Sequence, residues 1–346
     1  MTVGARLGAN LRGQMPDHTF RPAWWAPGPH AQTLWGKFFR RLPPPGTRRE
    51  RWDTPDDGDF VDLERLDAPA GAPCGTPRLV LLHGLEGAPR SHYAQGLFAE
   101  ARSRGWAMDL LIFRSCSGEL NRARRLYHSG ETGDADFVIR RIAAEQPGAP
   151  LAVIGVSLGG NVLLKWLGEQ GSAVPRELRA AATVSVPYDL ARGSRHIERG
   201  FSRVYSRHFL RSLKRKASAK RERYPDLFDP ATLDRSRTLW DFDHHVTAPV
   251  HGFASAADYY ARSSAIHFLD RVRVPTLMLS AADDPFLPAG VLDDVRAVAR
   301  GNPELRLEFV PHGGHVGFVA GPVPWRPAYW AEQRVLGFVE PRLREP

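Results

Sequence analysis

Only two cysteines, Cys74 and Cys116, occur in 346 residues. So few thiols build no disulfide framework and no structural zinc site. Long apolar runs are missing as well. No window approaches the roughly 18 apolar residues of a membrane span, and residues 1–20 hold no sustained apolar stretch that would read as a secretory signal. The default expectation is a soluble cytoplasmic protein. Acidic residues are the minority, 38 Asp+Glu against 47 Lys+Arg, for a net charge of +9. That excess is local: residues 192–223 hold twelve Lys/Arg and two Glu, a net of +10, which leaves the rest near neutral. Such a segment either attracts phosphates, anionic lipid or acidic substrates, or forms a solvated face. With 42% hydrophobic and 25% charged residues the chain is ordinary globular material. Its length fits one large domain or two smaller ones.

What is present is an alternation. PRLVLLHG, WAMDLLIF, LAVIGV, AAATVSVP and VPTLMLSA are largely apolar runs of strand length, as in strands buried on both faces, and LRLEFV reads as a final strand. Helical stretches with glycine or Pro-Gly stops separate most of them. Strand–helix alternation predicts an α/β fold, a mostly parallel sheet covered by helices on both faces. Residues 190–270 interrupt it with helical, basic, aromatic sequence. The expected division is an irregular N-terminal wrap over 1–50, with its tryptophans packed inward, a core over 51–189 and 271–346, and a helical cap over 190–270.

Gly155-Val156-Ser157-Leu158-Gly159 fits G-x-S-x-G at the junction of a strand and a helix. A serine there sits in a strained tight turn, exposed above the sheet at a helix N-terminus, and its flanking positions must be small. A hydroxyl needs a base to become a nucleophile. In this arrangement an acid and then a histidine follow the serine. Asp283 and Asp284 come just after one predicted strand, and His312 and His315 just after the last. Asp284 is preferred because it directly precedes Pro285, and His315 because it lies at the tip of the His-Gly-Gly-His turn. Asp283 stays an alternative, and either Asp could instead cap the following helix. The loop His83-Gly84-Leu85-Glu86-Gly87 offers an oxyanion donor at the Leu85 amide, with a second at Leu158. His83, His312 and Cys116 read as structural.

The chain resembles the YheT-like hydrolases of the α/β-hydrolase superfamily. The resemblance rests on HAQTLWG (30–36), LLHGLEG (81–87), FRSCSGELNRARRLYHSGETGD (113–134), GVSLGGN (155–161), GFASAADYYARSS (252–264), SAADDPFLP (280–288) and HGGHVGF (312–318). It implies an α/β-hydrolase fold and a triad of Ser157, Asp284 and His315. It also implies hydrolysis of acyl or lipid-like carboxylic esters without a metal or organic cofactor. The same triad serves thioester, amide and C–C bond hydrolysis. A non-catalytic basic binding protein is the remaining reading, although no nucleic-acid partner is expected.

Arg195, Arg199, Arg203, Arg207 and Arg211 recur every four residues and predict a charged stripe along one helix of a lid. Such a helix suits weak contact with an anionic membrane surface. Phe201, Tyr205, Phe209, Trp240 and Phe253 are the candidate pocket residues. Oligomeric state is not legible.

Overall fold

An apolar run becomes a strand when helices cover both of its faces, and such runs organise this chain. A computed structural model describes residues 19–345 except 44 and 56. The main sheet comprises β1 (Arg48–Asp53), β2 (Phe60–Leu66), β3 (Arg78–Leu82), β4 (Ala107–Ile112), β5 (Leu151–Val156), β6 (Leu178–Val184), β7 (Thr276–Ala281) and β8 (Leu305–Val310). Their order is β1-β2-β4-β3-β5-β6-β7-β8. The pairs β1–β2 and β2–β4 are antiparallel, and all later pairs in the sheet are parallel. Two short antiparallel strands, β9 (Val319–Ala320) and β10 (Ala328–Tyr329), pair separately.

The helices that cover the sheet are α2 (His92–Ser103) and α12 (Trp330–Arg344) on one face, and α3 (Gly133–Glu145) and α4 (Leu158–Gln170) on the other. Along β5, Ala152, Ile154 and Val156 join the first core, while Leu151 and Val153 join the second. Burying a large apolar side chain in this way contributes about 1.5–3 kcal/mol. Between β6 and β7 the described residues form helices and turns without a strand: α5 (Leu190–His196), α6 (Arg203–Arg223), α7 (Pro230–Arg235), α8 (Leu239–Phe242), α9 (Ala248–Val250) and α10 (Ala256–Ser263). The fold is completed by α11 (Val291–Ala299) and by α1 (Gly28–Phe39), which precedes the sheet. No helix among the described residues is long and apolar enough to cross a membrane.

Just after β4, the buried Arg114 grips Asp134 with two bonds of 2.7 Å, reaches Asp57 at 2.9 Å and also bonds Asp59. One guanidinium thus gathers three carboxylates from two chain segments.

Two expectations fail. Residues 1–50 are not irregular throughout, because 28–39 form α1; residues 1–18 lie outside the described part. This helix shows no clean apolar period because its buried residues are Gln32 and Gly36. Gln32 Nε2 donates to the carbonyls of Ala26 and Val319, and its Oε1 accepts from the Val319 N–H. A polar plug, not an apolar stripe, docks it. Trp25 and Trp35 pack together at 4.5 Å, but Trp24 is 75% exposed. The arginine stripe is also broken: α5 stops at His196, Gly200 adopts φ +51°, and α6 starts at Arg203. Arg195 and Arg199 therefore do not share a helix with Arg203, Arg207 and Arg211.

Candidate active site

Parallel strands deliver their following loops to one edge of a sheet, and here those loops meet. The turn from β5 into α4 holds Ser157 at φ +53°, ψ −119°. A Cβ on Gly155 would lie 2.6 Å from the Gly159 carbonyl oxygen, and one on Gly159 would lie 2.2 Å from the Leu82 carbonyl oxygen. Both positions are closed to any side chain, because the turn packs backbone against backbone beside the end of β3.

Asp284 follows β7 and is 2% exposed. Its Oδ1 accepts from the Phe286 N–H at 2.8 Å, and its Oδ2 accepts from His315 Nδ1 at 2.8 Å. A carboxylate only accepts, so the imidazole proton sits on Nδ1 and Nε2 faces Ser157 Oγ at 2.9 Å. Asp283 does something else. Its Oδ1 accepts from the Gly314 N–H at 2.9 Å, and its Oδ2 lies 3.3 Å from Nδ1 of the exposed His312. One aspartate meets the imidazole while its neighbour holds the loop that carries it.

Several supports were not legible as site residues. Thr33 of α1 accepts from the His315 N–H at 2.9 Å, and Ser185 accepts from the Val316 N–H at 3.0 Å. The Phe286 ring stacks on His315 at 4.0 Å. Thr33 lies 282 residues away in sequence; its only signal was membership of the HAQTLWG stretch.

The loop after β3 is fixed residue by residue. His83 Nε2 accepts from the Phe113 N–H at 3.1 Å, its Nδ1 donates to the Gly84 carbonyl at 2.7 Å, and burial lowers its pKa to about 4. Gly84 N–H donates to the Tyr93 hydroxyl at 2.9 Å. Glu86, at φ +55°, donates its N–H to Tyr127 and accepts back from that hydroxyl at 2.7 Å. Its carboxylate also bonds Lys216 at 2.7 Å and Ser212, both on α6. Burial alone would raise the Glu86 pKa, but Lys216 and the hydroxyls of Ser212 and Tyr127 hold it below its usual value. Leu85 is therefore flanked by anchored residues. Cys116 lies 3.3 Å from Lys216 Nζ, yet burial pushes its thiol up to about 11.

Ser157, Leu85 and Leu158 open onto a cavity of about 150 Å³. Leu190, Ile197, Leu213, Phe242 and Val246 give it apolar walls. Of the five aromatic pocket candidates, Phe209 lines it and the others do not. Phe201 is 51% exposed and packs on His30 at 4.5 Å. Tyr205 is buried beside it, 3.1 Å from His30 Nδ1. Trp240 sits behind the wall against Tyr260 at 5.1 Å, and Phe253 behind it against Tyr259 at 5.2 Å. Aromatic content marked this segment as packed, but the helix break at Gly200 and the depth of each ring decide which face the cavity.

A family model described as the alpha/beta hydrolase fold matches residues 77–322, so the chain belongs to the α/β-hydrolase family. Its YheT-like branch follows from YheT of Escherichia coli (strain K12), which carries a provisional esterase name. The two are 42% identical over 308 residues, 88% of each chain. Phospholipase ABHD3 of Mus musculus is 30% identical over 316 residues, 90% of this chain and 76% of its own. Among solved structures, the Pyrococcus furiosus esterase Pf2001 superposes with a TM-score of 0.55 at 13% identity, over 88% of this chain and 97% of that one. At that identity the likeness speaks to fold alone.

Proposed function

We propose that the protein is a serine hydrolase that cleaves carboxylic esters through an acyl-enzyme. His315 Nε2 takes the proton from Ser157 as Oγ attacks the ester carbonyl. Asp284 keeps the imidazole in the required tautomer and stabilises its cation. The amides of Leu85 and Leu158 receive the oxyanion; removing one such donor typically costs about 3–4 kcal/mol of transition-state stabilisation. The imidazolium then protonates the leaving alcohol, and water activated by His315 releases the acid. The helices of 190–270 act as a cap whose apolar residues receive an acyl chain. Esterase and phospholipase relatives support the ester as the substrate class.

One observation carries this reading: a single imidazole spans Ser157 at 2.9 Å and Asp284 at 2.8 Å. The test is a fluorophosphonate probe with p-nitrophenyl esters of graded acyl length. Wild type is labelled on Ser157, and Ser157→Ala loses the label and roughly four or more orders of magnitude in kcat. Undiminished hydrolysis by Ser157→Ala would refute the assignment, and equal rates on acetyl and octanoyl esters would refute the acyl-receiving cap.

A further inference from the structure

Two stretches on which the sequence resemblance rests, 113–134 and 252–264, have little part in this chemistry, yet both reach the cavity wall. His128 and Ser129 come from the first, Tyr259 and Tyr260 from the second. They are tied together: Tyr259 accepts from the Ser129 N–H at 2.8 Å, and Asn161 donates to the carbonyls of Ser129 and Ser263, each at 2.8 Å. Asn161 lies on α4, four residues beyond Ser157. The wall is thus anchored to the helix that follows the proposed nucleophile.

Asp243 lines the same cavity at the start of a π-helical turn, Asp243–Thr247. Such turns are rare and frequent at functional sites. Its carboxylate accepts from Tyr260 and from Thr247, each at 2.6 Å. No cation bonds it among the described residues, and burial lifts its pKa to about 6. A buried carboxylate without a counter-charge keeps unused accepting capacity. His128 supplies the opposite. Its Nδ1 accepts from the Gly130 N–H at 3.1 Å, so its proton resides on Nε2. Burial lowers the pKa of this ring to about 3, so it stays neutral. The His251 ring lies 4.4 Å from it on the same lining.

An acceptor and a donor on one wall suit a group that can both donate and accept. A hydroxyl does both, an alkyl group neither, and an ammonium only donates. Building on the esterase reading, we propose that Asp243 and His128 form a polar subsite for a hydroxyl carried by the substrate ester. The enzyme then prefers hydroxylated esters, such as monoesters of polyols, over plain alkyl esters of equal size.

The test compares ethyl octanoate with 2-hydroxyethyl octanoate, ethyl 8-hydroxyoctanoate and the choline ester of octanoic acid. Wild type is expected to favour one hydroxylated ester over its plain counterpart in kcat/KM, on the order of 10- to 100-fold, as for a hydrogen bond to a charged group. The arm that gains tells whether the hydroxyl belongs to the alcohol or the acyl portion. Asp243→Leu brings that ratio to about one, and His128→Phe lowers it; the second variant serves where the first fails to fold. A wild-type ratio of one, a ratio unmoved by both variants, or a preference for the choline ester over both hydroxylated esters overturns the proposal. Wild type labelled by fluorophosphonate but indifferent to the hydroxyl sinks the subsite and leaves the esterase reading intact. Neither label nor hydrolysis sinks the esterase reading itself.

Discussion

The loops after β3 and β7 and the helices between β6 and β7 face one cavity, with the loop after β8 bonded behind them, but different bonds hold the loops and the helices. In the loops the anchored groups are mainly backbone. The N–H groups of Gly84, Gly314, His315 and Val316 donate to Tyr93, Asp283, Thr33 and Ser185. On α6 the anchors are long side chains. From α6, Lys216 reaches Glu86 and Lys220 reaches Asn121, while Phe209 packs on Phe286 with ring centroids 6.1 Å apart. A backbone bond fixes where the chain runs, whereas a long side chain must surrender rotamer freedom and can be replaced by another. The rim is therefore built for one geometry, and the helical segment for a changeable surface around it.

The sharpest way to break this contrast is at the paired aspartates. Asp284→Asn should lower kcat by about 10⁴, because the imidazole loses its tautomer control. Asp283→Asn, which touches backbone and an exposed histidine, should cost far less. Equal losses in steady-state ester hydrolysis would erase the distinction between the two. Next in size is Arg114→Met. It leaves Asp57, Asp59 and Asp134 without their shared cation and should destabilise the fold by about 3–5 kcal/mol, read as a lower urea midpoint. An unchanged midpoint would show that the core, like the helices, tolerates replacement of its anchors. The smallest effect belongs to the contact between Glu86 and α6. Glu86→Gln unpairs Lys216 while keeping a partner for Tyr127, and kcat should fall about tenfold with KM nearly constant, since an oxyanion donor acts mainly in the transition state. A change confined to KM would assign Glu86 to the cap and not to the loop carrying Leu85.

The strands β3 to β7 were legible because burial on both faces demands largely apolar runs, whereas the edge strand β8, partly exposed and carrying Arg306 and Glu308, showed itself by alternation instead. The serine turn was legible because its close approaches exclude side chains at Gly155 and Gly159. The choice between Asp283 and Asp284 was weaker, since two identical residues differ only in the direction the turn after β7 sends them. Misreading grew where polar contacts replaced periodicity. Gln32 docks α1 without an apolar stripe, and a spacing of four between arginines persisted across the break at Gly200. Phe201, Tyr205, Trp240 and Phe253 were recognisable as aromatic mass, but not by the direction each faces.

By itself, then, the order of residues determined an alternating α/β chain, a serine turn with an acid and a histidine placed downstream, and one basic helical interruption. These are local properties, set by periodicity and by the absence of Cβ atoms. Only the tertiary structure decided which aspartate meets His315, that Thr33 steadies that histidine's backbone, and that Asp243 and His128 share a wall with Ser157. Those relations join atoms whose separation along the chain carries no information about their separation in space.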